Sequence, residues 1–244
     1  MTIKNVLLTG ASSGLGLEVS KKLIENGFCV WGISKTTAHR RKVHAYINSK
    51  GKYQFFNKDL SQEKGAKEIF NRIHKLSGGI DLLINCAGYI NELARVEKTS
   101  TTEIKKNFSF NLLSSFFMCK YSIPVLKKKG AGLIINISSM AGKRAVPGLA
   151  AYSISKFGVL ALTQCIAKEN AGTGLKCITV CPGGMKTRMR EKVFGYKDAA
   201  KQQSAGFVAN VILDIIKGKL QVESGGEVII RHGKVQINPP PSNN

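Results

Sequence analysis

The sequence predicts a doubly wound α/β fold, in which a parallel sheet of about seven strands has helices on both faces. Three observations predict it. Short apolar runs alternate with longer amphipathic segments along most of the chain. The apolar runs are continuous, as expected for strands that are buried on both faces of a sheet. A glycine-rich turn joins the first apolar run to the first amphipathic segment, as in a β-α-β unit.

Seven apolar runs predict the strands, and six longer segments predict the helices. The predicted strands span residues 5–9, 28–33, 53–57, 80–85, 133–138, 176–181 and 227–231. The predicted helices span about residues 14–26, 36–49, 61–76, 100–128, 151–171 and 203–217. No internal linker or repeat interrupts this pattern. We therefore expect a single domain over residues 1–237 and a disordered tail over residues 238–244.

Length and composition are those of a soluble globular protein. The 244 residues can bury a sizeable core, and 43% of them are hydrophobic. The amino terminus has no basic segment followed by a long apolar run, so we expect no signal peptide and a cytoplasmic location. No segment reaches the ~18 apolar residues that a membrane span needs.

The chain is strongly basic, with 37 Lys and Arg residues against 15 Asp and Glu residues and a net charge of +22. No acidic residue lies between Glu103 and Glu169, and a second basic cluster runs from Lys35 to Lys52. Such a field favours anionic partners, which include phosphorylated cofactors, acidic carrier proteins, nucleic acid and anionic membrane surfaces. A compositional drift towards lysine explains the charge equally well, so the charge alone selects no function.

The cysteines predict neither a disulfide framework nor a metal site. They are Cys29, Cys86, Cys119, Cys165, Cys177 and Cys181. They form no C-x-x-C pair and have no His-rich partner spacing, so no metal is expected. Cys177 and Cys181 lie in one extended run and would be ~13 Å apart, too far to form a disulfide. We expect all six to be reduced, buried and structural.

The first candidate functional segment is TGASSGLG, residues 9–16. Gly10, Gly14 and Gly16 lie between the first predicted strand and the first predicted helix, where glycine permits a tight turn and lets the backbone approach a pyrophosphate. The amino terminus of the following helix supplies unpaired N–H groups and a favourable dipole. The spacing G-x-x-x-G-x-G differs from the G-x-G-x-x-G of most dinucleotide folds.

A second candidate is the pair Tyr152 and Lys156, which lie four residues apart on one face of a predicted helix. The pair alone is a weak signal, because such pairs are common on solvated surfaces. Further motifs follow in order along the chain, namely Asp59-Leu60, NCAG at 85–88, Asn111, Ser139 and CPGGMKT at 181–187. With the glycine loop, this set resembles the short-chain dehydrogenase/reductase family over residues 4 to about 190. NCAG stands where the family usually has Asn-Asn-Ala-Gly.

The resemblance implies a Rossmann fold and an oxidoreductase that interconverts a carbonyl and a hydroxyl group. It also implies four catalytic residues, which are Asn111, Ser139, Tyr152 and Lys156. Tyr152 would be the proton donor, Lys156 would lower its pKa and bind the nicotinamide ribose, and Ser139 would hold the substrate oxygen. Asn111 would kink its helix and hold a water molecule between the lysine and solvent.

The resemblance further implies the cofactor-binding residues. They are Gly10, Ser12, Ser13, Gly14, Leu15, Gly16, Ser34, Lys35, Asp59, Leu60, Asn85, Ala87, Gly88, Tyr152, Lys156, Pro182, Gly183, Met185 and Thr187. Ser34 stands where NAD-dependent members have an acidic residue, and Lys35 follows it, so we expect NADP(H) rather than NAD(H). Arg40 and Arg41 would add to the positive field, whereas Ser13 stands where many NADP-dependent relatives have Arg or Lys.

The sequence leaves several substrates and partners open. Ketoacyl reductases of this family have a basic docking residue near the place of Lys129, so one hypothesis is a 3-oxoacyl thioester on an acidic acyl carrier protein that docks on Lys127–Lys129. A second is a small free ketone, sugar or hydroxy acid. A non-catalytic NADP-sensing regulator is the alternative of another class. The family expectation is a homodimer or homotetramer, and nucleic acid is not expected as a partner.

We expect Asn107 at the surface and Ser138 at a strand end.

Overall fold

A computed structural model describes residues 3–35 and 53–242 of the chain. The main sheet consists of β1 (Asn5–Thr9), β2 (Cys29–Ser34), β3 (Tyr53–Asn57), β4 (Leu82–Asn85), β5 (Gly132–Ile137), β6 (Leu175–Pro182), β9 (Glu227–Arg231) and β10 (Lys234–Asn238). Two short strands, β7 (Met185–Lys186) and β8 (Gln203–Ser204), form a separate parallel pair. The predicted helix 36–49, with Arg40 and Arg41, lies outside the described residues.

The helices of the described residues are α1 (Gly14–Glu25), α2 (Glu63–Ser77), α3 (Thr101–Asn107), α4 (Ser114–Lys128), α5 (Ala150–Glu169), α6 (Arg188–Phe194), α7 (Tyr196–Ala200) and α8 (Ala205–Ile216). Short 3₁₀ turns lie at Val96–Lys98 and Met140–Gly142. The predicted helix over residues 100–128 is interrupted, because a π-helical turn at Phe108–Leu113 joins α3 to α4. The short helices α6 and α7 were not predicted.

The strand order is β10-β9-β6-β5-β4-β1-β2-β3. All neighbouring strands are parallel except β9 and β10, which are antiparallel. The chain builds the sheet outward from β1 to β3, then returns to β4 and builds it in the opposite direction. A crevice therefore forms at the carboxyl ends of β1 and β4, where the direction reverses. The predicted doubly wound parallel sheet is confirmed.

The eighth strand, β10, was not predicted. It follows β9 through the two-residue turn His232–Gly233, in which both residues have positive φ (50° and 71°). A turn of this kind joins two antiparallel strands tightly. Asn238 belongs to β10, and a Cβ at Gly225 would lie 3.1 Å from the Cβ of Pro240. The predicted disordered tail over residues 238–244 therefore begins too early.

The two faces of the sheet pack against different helices. Side chains alternate along each strand, so that Leu8 of β1 lies in one core layer and Leu7 in the other. Residues of α1 and α8 complete the layer of Leu8, and residues of α2, α4 and α5 complete the layer of Leu7. Side chains of both core layers come from β1, β2, β4, β5 and β6, which explains why the sequences of these strands are continuously apolar.

Among the described residues, α5 is long and apolar enough to cross a membrane by length and composition. Half of its most apolar window is buried inside the fold. Val159 and Ile166 belong to this buried half, and Ile166 packs in the core layer of Leu7. The apolar character of α5 is therefore that of a core helix packed on a sheet.

All six cysteines are free thiols. Cys119, Cys177 and Cys181 are buried, and Cys29 and Cys86 are half-buried. Cys165 on α5 is exposed, so the expectation that all six are buried was wrong. An apolar helix that packs on a sheet still turns one face away from it, and sequence composition alone does not show which residues lie on that face.

We expect Ile84→Ala to lower the free energy of unfolding by about 2–5 kcal/mol, because Ile84 in β4 is fully buried and its loss leaves a cavity. Ile237→Ala on β10 is the matched control, since Ile237 is 40% exposed and should cost less than about 1 kcal/mol. Urea denaturation followed by circular dichroism measures both. Equal losses would contradict the two-layer core.

Candidate active site

The glycine loop packs tightly against the end of β4. Gly10 has φ 70°, and a Cβ there would lie 2.8 Å from the Cα of Ala87. A Cβ at Gly16 would lie 2.1 Å from the backbone oxygen of Gly10. Only glycine fits at these two positions, and the loop therefore stays close to the start of α1.

The amino terminus of α1 is suited to an anion. The side chain of its N-cap, Ser13, makes no capping hydrogen bond within the described part of the chain, and the first turn contains no acidic residue. The backbone N–H groups of this turn therefore remain for another acceptor, and the helix dipole favours a negative charge there. A Cβ at Gly14 would lie 3.6 Å from Cγ2 of Thr187, so the segment after β6 lies beside this loop.

The glycine loop and the ends of β2 and β3 bring four predicted cofactor residues together. The hydroxyl groups of Ser12 and Ser34 are hydrogen-bonded at 2.7 Å. Lys35 forms an ion pair with Asp59 at 2.7 Å, and its amine lies 4.7 Å from the ring centroid of Phe110. Burial raises the pKa of Asp59, but hydrogen bonds from Lys35 and from Ser61 outweigh it and hold that pKa below its usual value.

Ser139 and Tyr152 meet at the carboxyl end of β5. Ser139 is the N-cap of the Met140–Gly142 turn, and its Oγ accepts a hydrogen bond from the N–H of Ala141 at 3.1 Å. The Ser139 side chain also lies close enough to Tyr152 to act on the pKa of its phenol. Burial raises the pKa of Tyr152, and the Ser139 side chain opposes this rise only in part. Burial dominates this pKa in the described residues, and the expectation that Lys156 lowers it stays a prediction.

Lys156 lies one helical turn after Tyr152 and is 5% exposed. Its amine donates a hydrogen bond to the backbone oxygen of Ile137 at 3.0 Å and lies 5.9 Å from the ring centroid of Tyr152. Burial lowers the pKa of Lys156 to about 8, whereas the nearby thiols of Cys86 and Cys181 act in the opposite direction. Near pH 8 this buried amine is therefore partly protonated and partly neutral.

Asn111 lies in the π-helical turn, where the resemblance implies an irregular helix. Its Oδ1 accepts from the N–H of Tyr89 at 2.7 Å, and its Nδ2 donates to the oxygen of Tyr89 at 2.9 Å. A Cβ at Gly88 would lie 3.3 Å from Asn111 Oδ1 and 3.7 Å from Lys156 Nζ, so these three residues meet at one point.

The π turn breaks the regular hydrogen bonds of its helix, and two serines replace them. Ser114 donates to the backbone oxygen of Phe110 at 2.7 Å. Ser115 donates to the backbone oxygen of Asn111 at 2.9 Å. Buried carbonyl groups need such partners, and the paired serines at 114 and 115 therefore stabilise the irregular turn.

Several other predicted cofactor residues are buried in the body of the fold. Leu15 and Leu60 lie in the two core layers. Asn85 ends β4 and donates to Asn136 Oδ1 at 2.9 Å, which links β4 to β5. Pro182 ends β6, and the N–H of Gly183 donates to the oxygen of Ile230 at 2.7 Å. Met185 pairs with Gln203 in the small β7–β8 sheet.

Sequence reasoning missed or misplaced two polar residues of the site. Asn107 was expected at the surface, but it is fully buried against Asn111. Thr9 was not singled out, yet its Oγ1 accepts from the N–H groups of Cys86 and Ala87 at 3.1 and 3.0 Å. The position of Thr9 at the end of an apolar strand is the sequence feature that could have identified it as a site residue. Ser138 lies at the strand end as expected, where it donates to the oxygen of Lys156 at 2.8 Å.

The doubly wound sheet, the glycine loop and the polar cluster at the crevice define a dinucleotide-binding type of α/β protein. A family model described as short chain dehydrogenase matches residues 4–197. The chain belongs to this family, as the motifs indicated.

Named relatives within the family are diverse. A 3beta-hydroxysteroid dehydrogenase of Mediterraneibacter gnavus is 32% identical over 190 residues, which cover 78% of this chain and 68% of that protein. A 3-oxoacyl-[acyl-carrier-protein] reductase of Haemophilus influenzae is 30% identical over 210 residues, which cover 85% and 82%. A solved structure of ElxO with NADP bound is 27% identical, with a TM-score of 0.85 over 95% of this chain and 98% of that one. The protein is thus an oxidoreductase that acts on CH–OH or C=O groups, and its substrate is not fixed by these relatives.

Burial of Lys156 predicts a specific pH dependence of stability. Its folded pKa of about 8 lies below the ordinary value of 10.5, so between these values the unfolded chain binds a proton that the folded chain has lost. The contribution of Lys156 to stability therefore becomes more favourable as pH rises through this window.

We expect the gain in unfolding free energy from Lys156→Met to be larger at pH 7 than at pH 10.5, because the variant removes a charge that is costly to bury. Chemical denaturation of both proteins at the two pH values measures this difference. The other groups that titrate at high pH are present in both proteins, so the comparison isolates Lys156. A difference that stays constant with pH would contradict the buried-cation interpretation.

Proposed function

We propose that this protein is an NADPH-dependent reductase that converts a carbonyl group to a hydroxyl group. The observation that supports this is the convergence of three side chains: Ser139 lies close enough to Tyr152 to act on its pKa, and the buried amine of Lys156 lies 5.9 Å from the Tyr152 ring centroid. The three side chains lie at the carboxyl end of the sheet, as does the glycine loop. An oxygen-binding hydroxyl, a proton donor and a cation are thus available to a carbonyl group bound in the crevice.

The reaction adds a hydride to the carbonyl carbon and a proton to the carbonyl oxygen. The nicotinamide ring supplies the hydride when it is bound. Ser139 donates a hydrogen bond to the carbonyl oxygen, where negative charge develops. Tyr152 transfers its phenolic proton to the same oxygen, and the ammonium of Lys156 stabilises the phenolate until solvent returns a proton.

The raised pKa of Tyr152 supports the reductive direction. At neutral pH a phenol with a pKa above its usual value stays protonated, and the protonated phenol is the acid that reduction needs. Oxidation of an alcohol would need the phenolate, which burial disfavours. Lys156, with a pKa of about 8, is mostly protonated at neutral pH and can stabilise the phenolate as it forms.

The preference for NADPH rests on the end of β2. Lys35 follows Ser34 at the end of β2 and supplies an ammonium there, and no carboxylate follows β2 directly in the sequence. Asp59 already pairs with Lys35, so a cofactor phosphate on the ribose would compete with that carboxylate for the same cation. A phosphate has up to two negative charges, which gives it the advantage over a single carboxylate.

The substrate that we favour is a small free carbonyl compound. In the carrier hypothesis an acidic protein docks on Lys127–Lys129, at the end of α4. Lys129 pairs with Asp81 at 2.7 Å, and Asp81 precedes β4 and accepts from the N–H of Asn5 at the start of β1. The patch therefore lies at the amino edge of the sheet, opposite Tyr152 in the same chain. A 3-oxoacyl thioester remains the second candidate, supported by the 30% identical carrier-protein reductase.

We expect Tyr152→Phe to lower kcat by about 10²–10⁴-fold, because it removes the general acid, while NADPH still binds. The assay follows NADPH oxidation at 340 nm with a panel of free ketones, ketoesters and 3-oxoacyl thioesters. Tyr121→Phe is the matched control, since the Tyr121 hydroxyl pairs with Glu63 away from the crevice. An undiminished kcat in Tyr152→Phe would refute the assignment of Tyr152 as the proton donor, whereas a wild-type protein that binds NADPH but oxidises none would favour the NADP-sensing regulator.

We expect Lys35→Ala to lower kcat/KM for NADPH by about tenfold or more and to leave kcat/KM for NADH within about twofold, because a hydrogen bond to a charged group is lost. Steady-state kinetics with both cofactors give the two ratios. Lys58→Ala is the control, since Lys58 at the end of β3 pairs with Glu68 instead. A wild-type enzyme that prefers NADH would refute the NADPH assignment.

A further inference from the structure

A chain of buried polar side chains lies on the inner side of the π turn. It consists of Asn91, Asn107, Asn111 and Ser155, which we call the asparagine network. Their exposed fractions are 2%, 0%, 0% and 0%. Buried amide and hydroxyl groups destabilise a protein unless they are hydrogen-bonded, so a connected set of them points to a specific requirement.

The network runs from the loop after β4 to the helix that contains Tyr152. Asn107 Nδ2 donates to Asn91 Oδ1 at 2.9 Å. Asn111 Nδ2 donates to Asn107 Oδ1 at 3.3 Å and to Ser155 Oγ at 2.9 Å. Ser155 Oγ in turn donates to the backbone oxygen of Tyr152 at 2.7 Å. A continuous series of hydrogen bonds therefore links Asn91 to the backbone of Tyr152.

Asn107 is the central member of this series. Its Nδ2 also donates to the backbone oxygen of Glu103 at 2.9 Å, so both the amide nitrogen and the amide oxygen of Asn107 have partners. Replacement of Asn107 by an apolar residue would remove the donor that Asn91 Oδ1 has in the structure. It would also remove the acceptor that Asn107 Oδ1 offers to Asn111 Nδ2, so that the Asn111 amide would be held by Tyr89 and Ser155 alone.

We propose that Asn107 is a positioning residue, which together with Asn91 holds Asn111 in the π turn and, through Ser155, sets the position of the Tyr152 backbone. The inference rests on the proposed function, because the Tyr152 phenol is the proton donor in that reaction. A π turn is less stable than a regular helical turn, so its side chains need partners outside the helix to keep one orientation. Misplacement of a reacting group by about 1 Å can cost about a hundredfold in rate.

The first test is kinetic and compares two buried asparagines. Asn107→Leu should lower kcat, expressed per folded protein, by about 10- to 100-fold, while KM for NADPH stays within about twofold. Asn170→Leu is the matched control, because Asn170 is buried at the end of α5 and its Nδ2 donates to the backbone oxygen of Ile166. The control should lose stability but keep its kcat. An unchanged kcat in Asn107→Leu, or an equal loss in Asn170→Leu, would overturn the positioning role.

The second test needs no substrate. Asn107→Leu, Ser155→Ala and the double variant are unfolded in urea, and the shifts of the transition midpoint are compared. Coupling through Asn111 predicts that the shift of the double variant is smaller than the sum of the two single shifts. Additive shifts would overturn the network itself. Failure of the wild-type enzyme to reduce any carbonyl compound would instead count against the proposed function, so the two failures are distinguishable.

Discussion

Burial of the Lys156 amine is the constraint on which the site depends. The amine is held by the backbone oxygen of Ile137 at the end of β5, and it meets Gly88 and Asn111 from the other side of the crevice. A buried cation is tolerated only where backbone oxygens and polar groups surround it. This requirement draws the end of β5, the NCAG segment, the π turn and the catalytic helix into one compact cluster.

The remainder of the crevice follows from close backbone contacts. Gly10 and Gly16 let the first loop lie directly on itself and on the end of β4. Thr9 fixes that end by accepting two backbone N–H groups. A Cβ at either glycine would overlap main-chain atoms, so a larger residue there would displace the loop. Rigid packing of this kind suits a site that must present N–H groups to an anionic ligand.

Motif reasoning succeeded where one residue type is needed for a local reason. The strand-to-helix position of Gly10 and the helical spacing of Tyr152 and Lys156 are local, and the structure places all three at the same crevice. Motif reasoning failed where tertiary packing decides whether a residue is buried. Asn107 follows polar and charged residues in its own helix, as a surface residue would. Its contact with Asn91, from the loop after β4, is visible only in the tertiary structure.

By itself, the sequence determined the doubly wound sheet and the family, because periodicity, glycine placement and short spacings reflect forces within one element or between neighbours. Only the tertiary structure decided the added strand β10, the buried network and the pKa directions. Burial raises the pKa of Tyr152 and lowers that of Lys156, which is a consequence of desolvation. Desolvation depends on residues that are far apart in the chain, so a local sequence pattern does not predict it.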